Sequence, residues 1–159
     1  MDLSQSDREL ILLEQIAQDP DINQATLAER LDVAVGTVNW HLKRLVSKGY
    51  VKAKRAQRKK LRYIITPEGI VLRAKLTVQY IENQMRLYRE TRQEVKNLLA
   101  EIKAEGYNQV RITGDSEIAD VCQLTCLEQG IDVVDRDDLP TLEVTGYSVS
   151  RKDKSPELV

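Results

Sequence analysis

Three features of this sequence predict a mainly α chain with α+β parts. Residues 6–66 read as short helices followed by a basic two-stranded ribbon. An apolar stripe with a period near 3.5 residues starts at Val71, and residues 110–135 alternate strand, helix and strand. The expected organisation is an N-terminal domain over 1–66 and a long helix over 67–105. A small β-α-β unit over 106–150 and a polar tail over 151–159 complete it.

Composition narrows the class. At 42% hydrophobic the chain has enough for a core, and no apolar run nears the ~20 residues of a membrane helix. Met1-Asp2-Leu3-Ser4 has neither the basic start nor the apolar middle of a signal peptide, so a cytoplasmic location without membrane contact is expected. Charge is unevenly spread: residues 1–66 carry twelve Lys/Arg against eight Asp/Glu, while the whole chain has a net charge of -1. No acid lies between Asp32 and Glu68, an interval that holds ten cations. Positive charge gathered in one place points to a polyanion as partner.

The first helix is expected to open at Ser6, with Glu9 three residues on as the other half of a capping box. Leu10, Leu13, Ile16 and Ala17 form its apolar face, and Asp19-Pro20-Asp21 ends it. Asn23 caps a second helix to about Leu31, with Leu27, Ala28 and Leu31 inward. A third runs from about Val35 to Lys48, with Val38, Leu42 and Leu45 on one face and Gly49 as its stop. Its opposite face carries Gly36, Thr37, Asn39, Trp40, Lys43, Arg44 and Ser47. Two alternating strands follow, Val51–Lys54 and Leu61–Ile65, joined by the basic loop Arg55-Ala56-Gln57-Arg58-Lys59-Lys60. A helix-turn-helix followed by such a hairpin is a winged-helix layout.

Combined, Leu27-Ala28-x-x-Leu31-x-Val33, Thr37-Val38-x-x-His41-Leu42-x-x-Leu45, Lys48-Gly49-Tyr50-Val51 and Leu61-Arg62-Tyr63-x-x-Thr66-Pro67-Glu68-Gly69 resemble bacterial winged-helix regulators of the MarR, ArsR and Lrp type. The resemblance covers roughly residues 6–90 and is nearest to MarR-like regulators associated with exopolysaccharide gene clusters. It departs from that pattern at Ala34, where a Ser often starts the recognition helix. It implies a sequence-specific regulator of transcription, a homodimeric repressor on double-stranded DNA, with no enzymatic activity and no cofactor. Thr37, Asn39, Trp40 and Lys43 are the candidates for base contact, since Asn can pair both edges of adenine and Lys can reach guanine. Arg44, Lys54, Arg55, Arg58, Lys59 and Lys60 are the candidates for phosphate. The rival expectation is a winged-helix protein-interaction adaptor that does not read DNA and whose charge is a solvated face.

Thr66-Pro67-Glu68 begins the long helix. Val71, Ala74, Val78, Ile81, Met85 and Tyr88 recur at steps of three and four and form the expected coiled-coil-like dimer seam. The series resumes at Val95, Leu99 and Ile102, with Arg92 breaking it. Two alternatives stand beside the seam. The stripe packs on the chain's own C-terminal part, or the helix breaks near Thr91, where Thr91-x-x-Glu94 is a second capping pattern.

Val110–Thr113 and Ile131–Asp135 read as parallel strands around a helix from Ser116 to about Gln129, with a third strand near 142–145. Residues 110–119 are similar to the first turn of a nucleotide-binding fold, which keeps a small-molecule effector among the partners. With one glycine, and with Asp115 and Glu117 at the helix start, the turn suits phosphate poorly. His41 reads as a packed or phosphate-near imidazole, Cys122 and Cys126 as buried small residues, and Asp135, Asp137 and Asp138 as a solvated loop; no metal site is expected.

Overall fold

A computed structural model describes residues 3–57 and 60–153, which fall into two units, Met1–Glu82 and Asn83–Val159. In the first, α1 (Gln5–Gln18), α2 (Gln24–Leu31) and α3 (Val35–Ser47) precede the antiparallel ribbon of β1 (Val51–Ala56) and β2 (Lys60–Ile65). The helix α4 (Pro67–Ala104) starts in this unit and continues without a break through Thr91 into the second.

The start of α1 differs from the sequence expectation by two residues. Ser4 is the N-cap: its hydroxyl accepts from the Asp7 N–H, and the Asp7 carboxylate accepts from the Ser4 N–H. Asp at the third helical position closes the same box as Glu. Ser6 is thereby drawn into the helix, and Glu9 is released for an ion pair with Arg44 described below. Asn23 caps α2 as expected, accepting from Thr26 N–H at 2.8 Å. Ala34 caps α3 with no side-chain hydrogen bond.

Helix α3 ends in a Schellman closure. Tyr50 N–H donates to the Leu45 carbonyl and Gly49 N–H to that of Val46, with Gly49 at φ 79°, where a side chain would be strained. The ribbon is fixed to the helices at both sides. Tyr63 N–H donates to the Pro20 carbonyl, and Thr66 N–H donates to the Tyr50 carbonyl. The Thr66 hydroxyl donates to the Gly49 carbonyl at 2.6 Å and accepts from Gly69 N–H, so one threonine caps α4 and ties it to the end of α3. Leu13, Leu27, Val38, Leu42 and Leu45 fill the centre beneath Val51, Tyr63 and Leu76.

The second unit contains α4 beyond residue 82, β3 (Gln109–Thr113), α5 (Glu117–Glu128), β4 (Asp132–Val133), β5 (Thr141–Thr145) and β6 (Ser148–Lys152). The sheet order is β4-β3-β5-β6, parallel except for β6. Val95, Leu99 and Ile102 of α4 are buried against this unit together with Val110, Ile118, Cys122, Leu142 and Val149. The later half of the apolar stripe therefore packs inside its own chain. Arg92, the break in that stripe, pairs with Glu128 of α5 at 2.8 Å. Thr91 is buried in mid-helix and does not cap a new one.

The tail expected from Arg151 is instead structured through Lys152. Gly146 (φ 60°) and Tyr147 form a two-residue turn from β5 into β6. Arg151 then donates to both carboxylate oxygens of Glu105, at 2.8 and 2.6 Å, which holds that carboxyl below its usual range.

Gly69 is the least replaceable glycine of the first unit. A Cβ there would lie 2.0 Å from the Tyr50 carbonyl oxygen and 2.7 Å from Ile65 Cγ2, whereas one at Gly36 would meet nothing within 4 Å. Gly69→Ala is expected to lower stability in urea titration by about 3 kcal/mol. Gly36→Ala, in a helix with room, is expected to raise it by up to about 1 kcal/mol.

Candidate nucleic-acid interface

The outward face of α3 is set by what the other face must bury. Val38, His41, Leu42 and Leu45 lie in the core, so Gly36, Trp40, Lys43 and Ser47, at i, i+4, i+7 and i+11, form the most outward row. Trp40 is 53% exposed, which is unusual for so large an apolar group. Thr37 and Asn39 flank the row and are half-buried. The first turn thus offers small and amide groups, with an aromatic and a cation one and two turns further on.

Arg44 is anchored within the domain. Its Nε lies 3.6 Å from Glu9 Oε1, and its guanidinium carbon lies 5.6 Å from the centroid of the Trp40 ring. The Trp40 ring also meets His41 edge to face at 4.8 Å. Arg44 therefore supports Trp40 from one side, a cation–π contact that fixes the indole on the surface.

Asn39 is held from the other side. Gln24, the first residue of α2, donates from its amide nitrogen to the Tyr63 hydroxyl at 3.1 Å and to Asn39 Oδ1 at 3.5 Å. This link joins residues 15 and 39 positions apart in the chain, so no local pattern signals it.

The ribbon carries the densest charge. The register pairs Lys52 with Ile64, Lys54 with Arg62, Arg55 with Leu61 and Ala56 with Lys60. Alternation then places Lys52, Lys54, Lys60 and Arg62 on one face and Arg55 on the other, with Val51, Ala53, Leu61, Tyr63 and Ile65. Arg55 and Lys60, expected in the loop, are strand residues, because pairing continues to Ala56 and Lys60. Arg58 and Lys59 lie outside the described residues. Lys52 and Arg62 join the cationic face although they were not among the candidates; period-two alternation from Tyr63 was the available signal. Arg62 has one acid nearby, Asp21 at 3.4 Å, both groups being solvent-exposed. Lys54 directly opposite Arg62 is a like-charge cross-strand pair, an arrangement that opposes folding unless a polyanion covers it.

His41, beneath this surface, is buried, and its Nδ1 has no hydrogen-bond partner. Burial lowers its pKa below the usual 6.5; Glu9 opposes this, and Arg8 and Arg44 reinforce it.

The second unit presents little chemistry. Burial pushes the Cys122 thiol up to about 12 and the Cys126 thiol up to about 11, so both are inert core thiols. Asp135 and Asp137 pair with Arg111, and Asp138 with Arg136. Among the described residues no His, Cys, Asp and Glu gather as metal ligands, and no helix is long and apolar enough to cross a membrane. Gly114 in the β3–α5 turn (φ 124°) lies against Val144, where a Cβ would come within 2.9 Å, so strand packing accounts for the glycine.

Residues 5–52 match the family model described as winged helix-turn-helix DNA-binding. The first unit accordingly carries a winged helix-turn-helix DNA-binding domain. No curated protein matches the chain. Among solved structures it is similar to the PcaV transcriptional regulator of Streptomyces coelicolor in complex with its natural ligand, at 22% identity, 65% of this chain and 76% of that one, TM-score 0.47. It is similar to a MarR family protein of Mycobacterium tuberculosis in complex with salicylic acid, at 24% identity, 59% and 74% coverage, TM-score 0.45. A third is FabT of Streptococcus pneumoniae in complex with DNA, at 23% identity, 80% and 75% coverage, TM-score 0.41.

Lys54→Thr is expected to leave stability unchanged or raise it by about 0.2–1 kcal/mol, because it removes a repulsive pair. It should weaken binding to all duplexes alike and reduce the slope of log K against log salt by about 1. Calorimetry and salt-dependent titration read the two effects. For His41 the folded pKa lies below the unfolded one, so its contribution is complete above about pH 6.5 and is lost as pH falls through the folded value. The urea midpoint of the protein should fall between pH 7.5 and pH 5.5, and His41→Leu should flatten that fall.

Proposed function

We propose that this chain is a sequence-specific, double-stranded DNA-binding regulator of transcription of the MarR-like type, acting in the cytoplasm as a homodimeric repressor. The observation that carries this reading is the pairing of two surfaces in one unit. One is an outward α3 row with an exposed indole; the other is a ribbon face whose cations repel one another. Recognition helices of this kind enter the major groove with their N-terminal turns at the base edges. The ribbon then lies on phosphate or along the adjacent minor groove, giving affinity without sequence preference. A protein-interaction adaptor gives no particular reason for four cations on one ribbon face with only Arg62 paired to an acid.

Dimerisation is supported by the first half of the α4 stripe. Val71 is 70% exposed and Val78 56%, with Ala74, Ile81 and Met85 also exposed and Tyr88 half-buried. An amphipathic helix that leaves its apolar lane in water gains by pairing with a second copy. Twofold symmetry then sets two α3 helices on half-sites ~34 Å apart and makes the operator an inverted repeat. A dimer covering such a site excludes other proteins from it, hence repression. A small-molecule effector has a place to sit in the first unit. Ile16, Pro20, Tyr63, Ile65, Ile70 and Arg73 line a cleft of about 340 Å³, a lining that suits an apolar anion.

Gel retardation with genomic fragments and sedimentation velocity test this reading together. The protein is expected to sediment as a dimer at micromolar concentration and to retard an inverted-repeat duplex. With six phosphates neutralised, log K should change with log salt at a slope of about −5. Val78→Glu with Ile81→Glu should yield a folded monomer that binds the same duplex more than tenfold more weakly. A wild-type monomer, or no retarded species in dilute buffer, overturns it.

A further inference from the structure

We propose that Gln24 sets base specificity by orienting the Asn39 amide, so that Asn39 reads an acceptor-only base edge, guanine, and not adenine. This inference rests on the reading of α3 as the DNA-reading helix and adds which hydrogen-bond code one of its residues presents.

A free Asn side chain recognises adenine with both ends of its amide: Oδ1 accepts from adenine N6–H and Nδ2 donates to N7. In this protein Oδ1 is already engaged, since it accepts from the Gln24 amide nitrogen at 3.5 Å. The same nitrogen donates to the Tyr63 hydroxyl at 3.1 Å. Tyr63 is only 3% exposed, and its N–H is fixed to the Pro20 carbonyl, so its hydroxyl is a stationary anchor. A phenol can accept or donate, and here it accepts, so the Gln24 nitrogen offers its two N–H groups to Tyr63 and Asn39 and holds the oxygen of Asn39. Asn39 Nδ2 is left as the group available to a ligand, and it carries donors only. In the major groove, guanine presents two adjacent acceptors, N7 and O6, to such a group, whereas adenine presents an acceptor beside a donor. An adenine opposite Asn39 would face its N6–H₂ to an amide whose oxygen is turned away.

The residue spacing supports the assignment. Gln24 begins α2, and Asn39 flanks the outward row of α3, so the pair spans the two helices of the helix-turn-helix. Neither is fully buried.

The test is selection of bound duplexes from a randomised pool by the full chain, carried out for wild type, Asn39→Ala, Gln24→Ala and Gln24→Glu. Wild type is expected to enrich guanine over adenine by at least about fivefold at one position of each half-site, and Asn39→Ala should abolish that preference. A glutamate at position 24 offers acceptors, which turns the Asn39 amide over by accepting from Nδ2 and presents Oδ1 outward. Gln24→Glu should therefore shift the same position at least fivefold toward bases with an exocyclic amino donor, adenine or cytosine. Gln24→Ala releases the amide and should bring adenine up to parity with guanine. Both variants are checked for wild-type melting, and ratios within one pool are read so that the added charge of glutamate cancels. If wild type enriches a motif but that position ignores Asn39→Ala, or keeps its preference in both Gln24 variants, the orientation mechanism is overturned while DNA reading stands. If wild type enriches no motif, the DNA reading itself fails.

Discussion

The first unit depends on a contact of almost no size: the bare Cα of Gly69 against the carbonyl of Tyr50. Tyr50 closes α3, the ribbon begins one residue later, and Thr66 ends the ribbon by hydrogen-bonding back to the residues that closed α3. Only a glycine one turn into α4 lets that helix start so near. Three elements are thereby locked at one point: the helix that faces outward, the ribbon beside it and the helix that leaves toward the second unit. The run Thr66-Pro67-Glu68-Gly69 is therefore a joint in which each residue type has a separate task. Threonine supplies a donor and an acceptor, proline fits the first helical turn, glutamate faces the positive end of the helix, and glycine leaves room.

On that frame the electrostatics run against folding. Isolated proteins reduce self-repulsion by interleaving acids, yet four cations share one ribbon face and two of them stand directly opposite one another. Of the acids of the unit, Glu9 is engaged at Arg44 and Asp7 in the α1 cap, and Asp21 reaches the ribbon face only at Arg62. In the second unit the opposite holds: Arg111 and Arg136 are matched by Asp135, Asp137 and Asp138. The second unit answers these arginines with acids of its own, while on the ribbon face of the first only Arg62 has an acid beside it, Asp21.

Much of this was legible in the chain. Apolar spacing located α1, α2 and α3, Gly49 marked the end of α3, and alternation gave the two ribbon strands and their inward face. What escaped has physical reasons. Ser4-x-x-Asp7 and Ser6-x-x-Glu9 are competing boxes, and the choice rests on Leu3 packing at the core and on Glu9 having Arg44 as a better partner. Strand β6 is a polar edge strand whose signal was a Gly-Tyr turn between two short alternations, too weak to stand out from a tail. Of the proposed base-contact set, Trp40 and Lys43 could be read from helical phase, but the restraint on Asn39 could not. It arises from Gln24 and Tyr63, which share no pattern with it and meet only when the domain is folded.

The long helix shows the general limit. Its apolar residues keep one rhythm from Val71 to Ile102, and rhythm reports that a lane avoids water without saying what covers it. Val95, Leu99 and Ile102 are covered by strands and a helix of the same chain, while Val71, Val78 and Ile81 are not. Arg92 forms an ion pair with Glu128 of the second unit, and Leu87 before it already packs on that unit's core, so a cation in the lane does not interrupt the helix. Ahead of that point, a lane of this kind needs a surface from outside the chain. In the proposed homodimer a second copy would supply one of matching length and chemistry, and the symmetry that pairs the lanes would also duplicate α3.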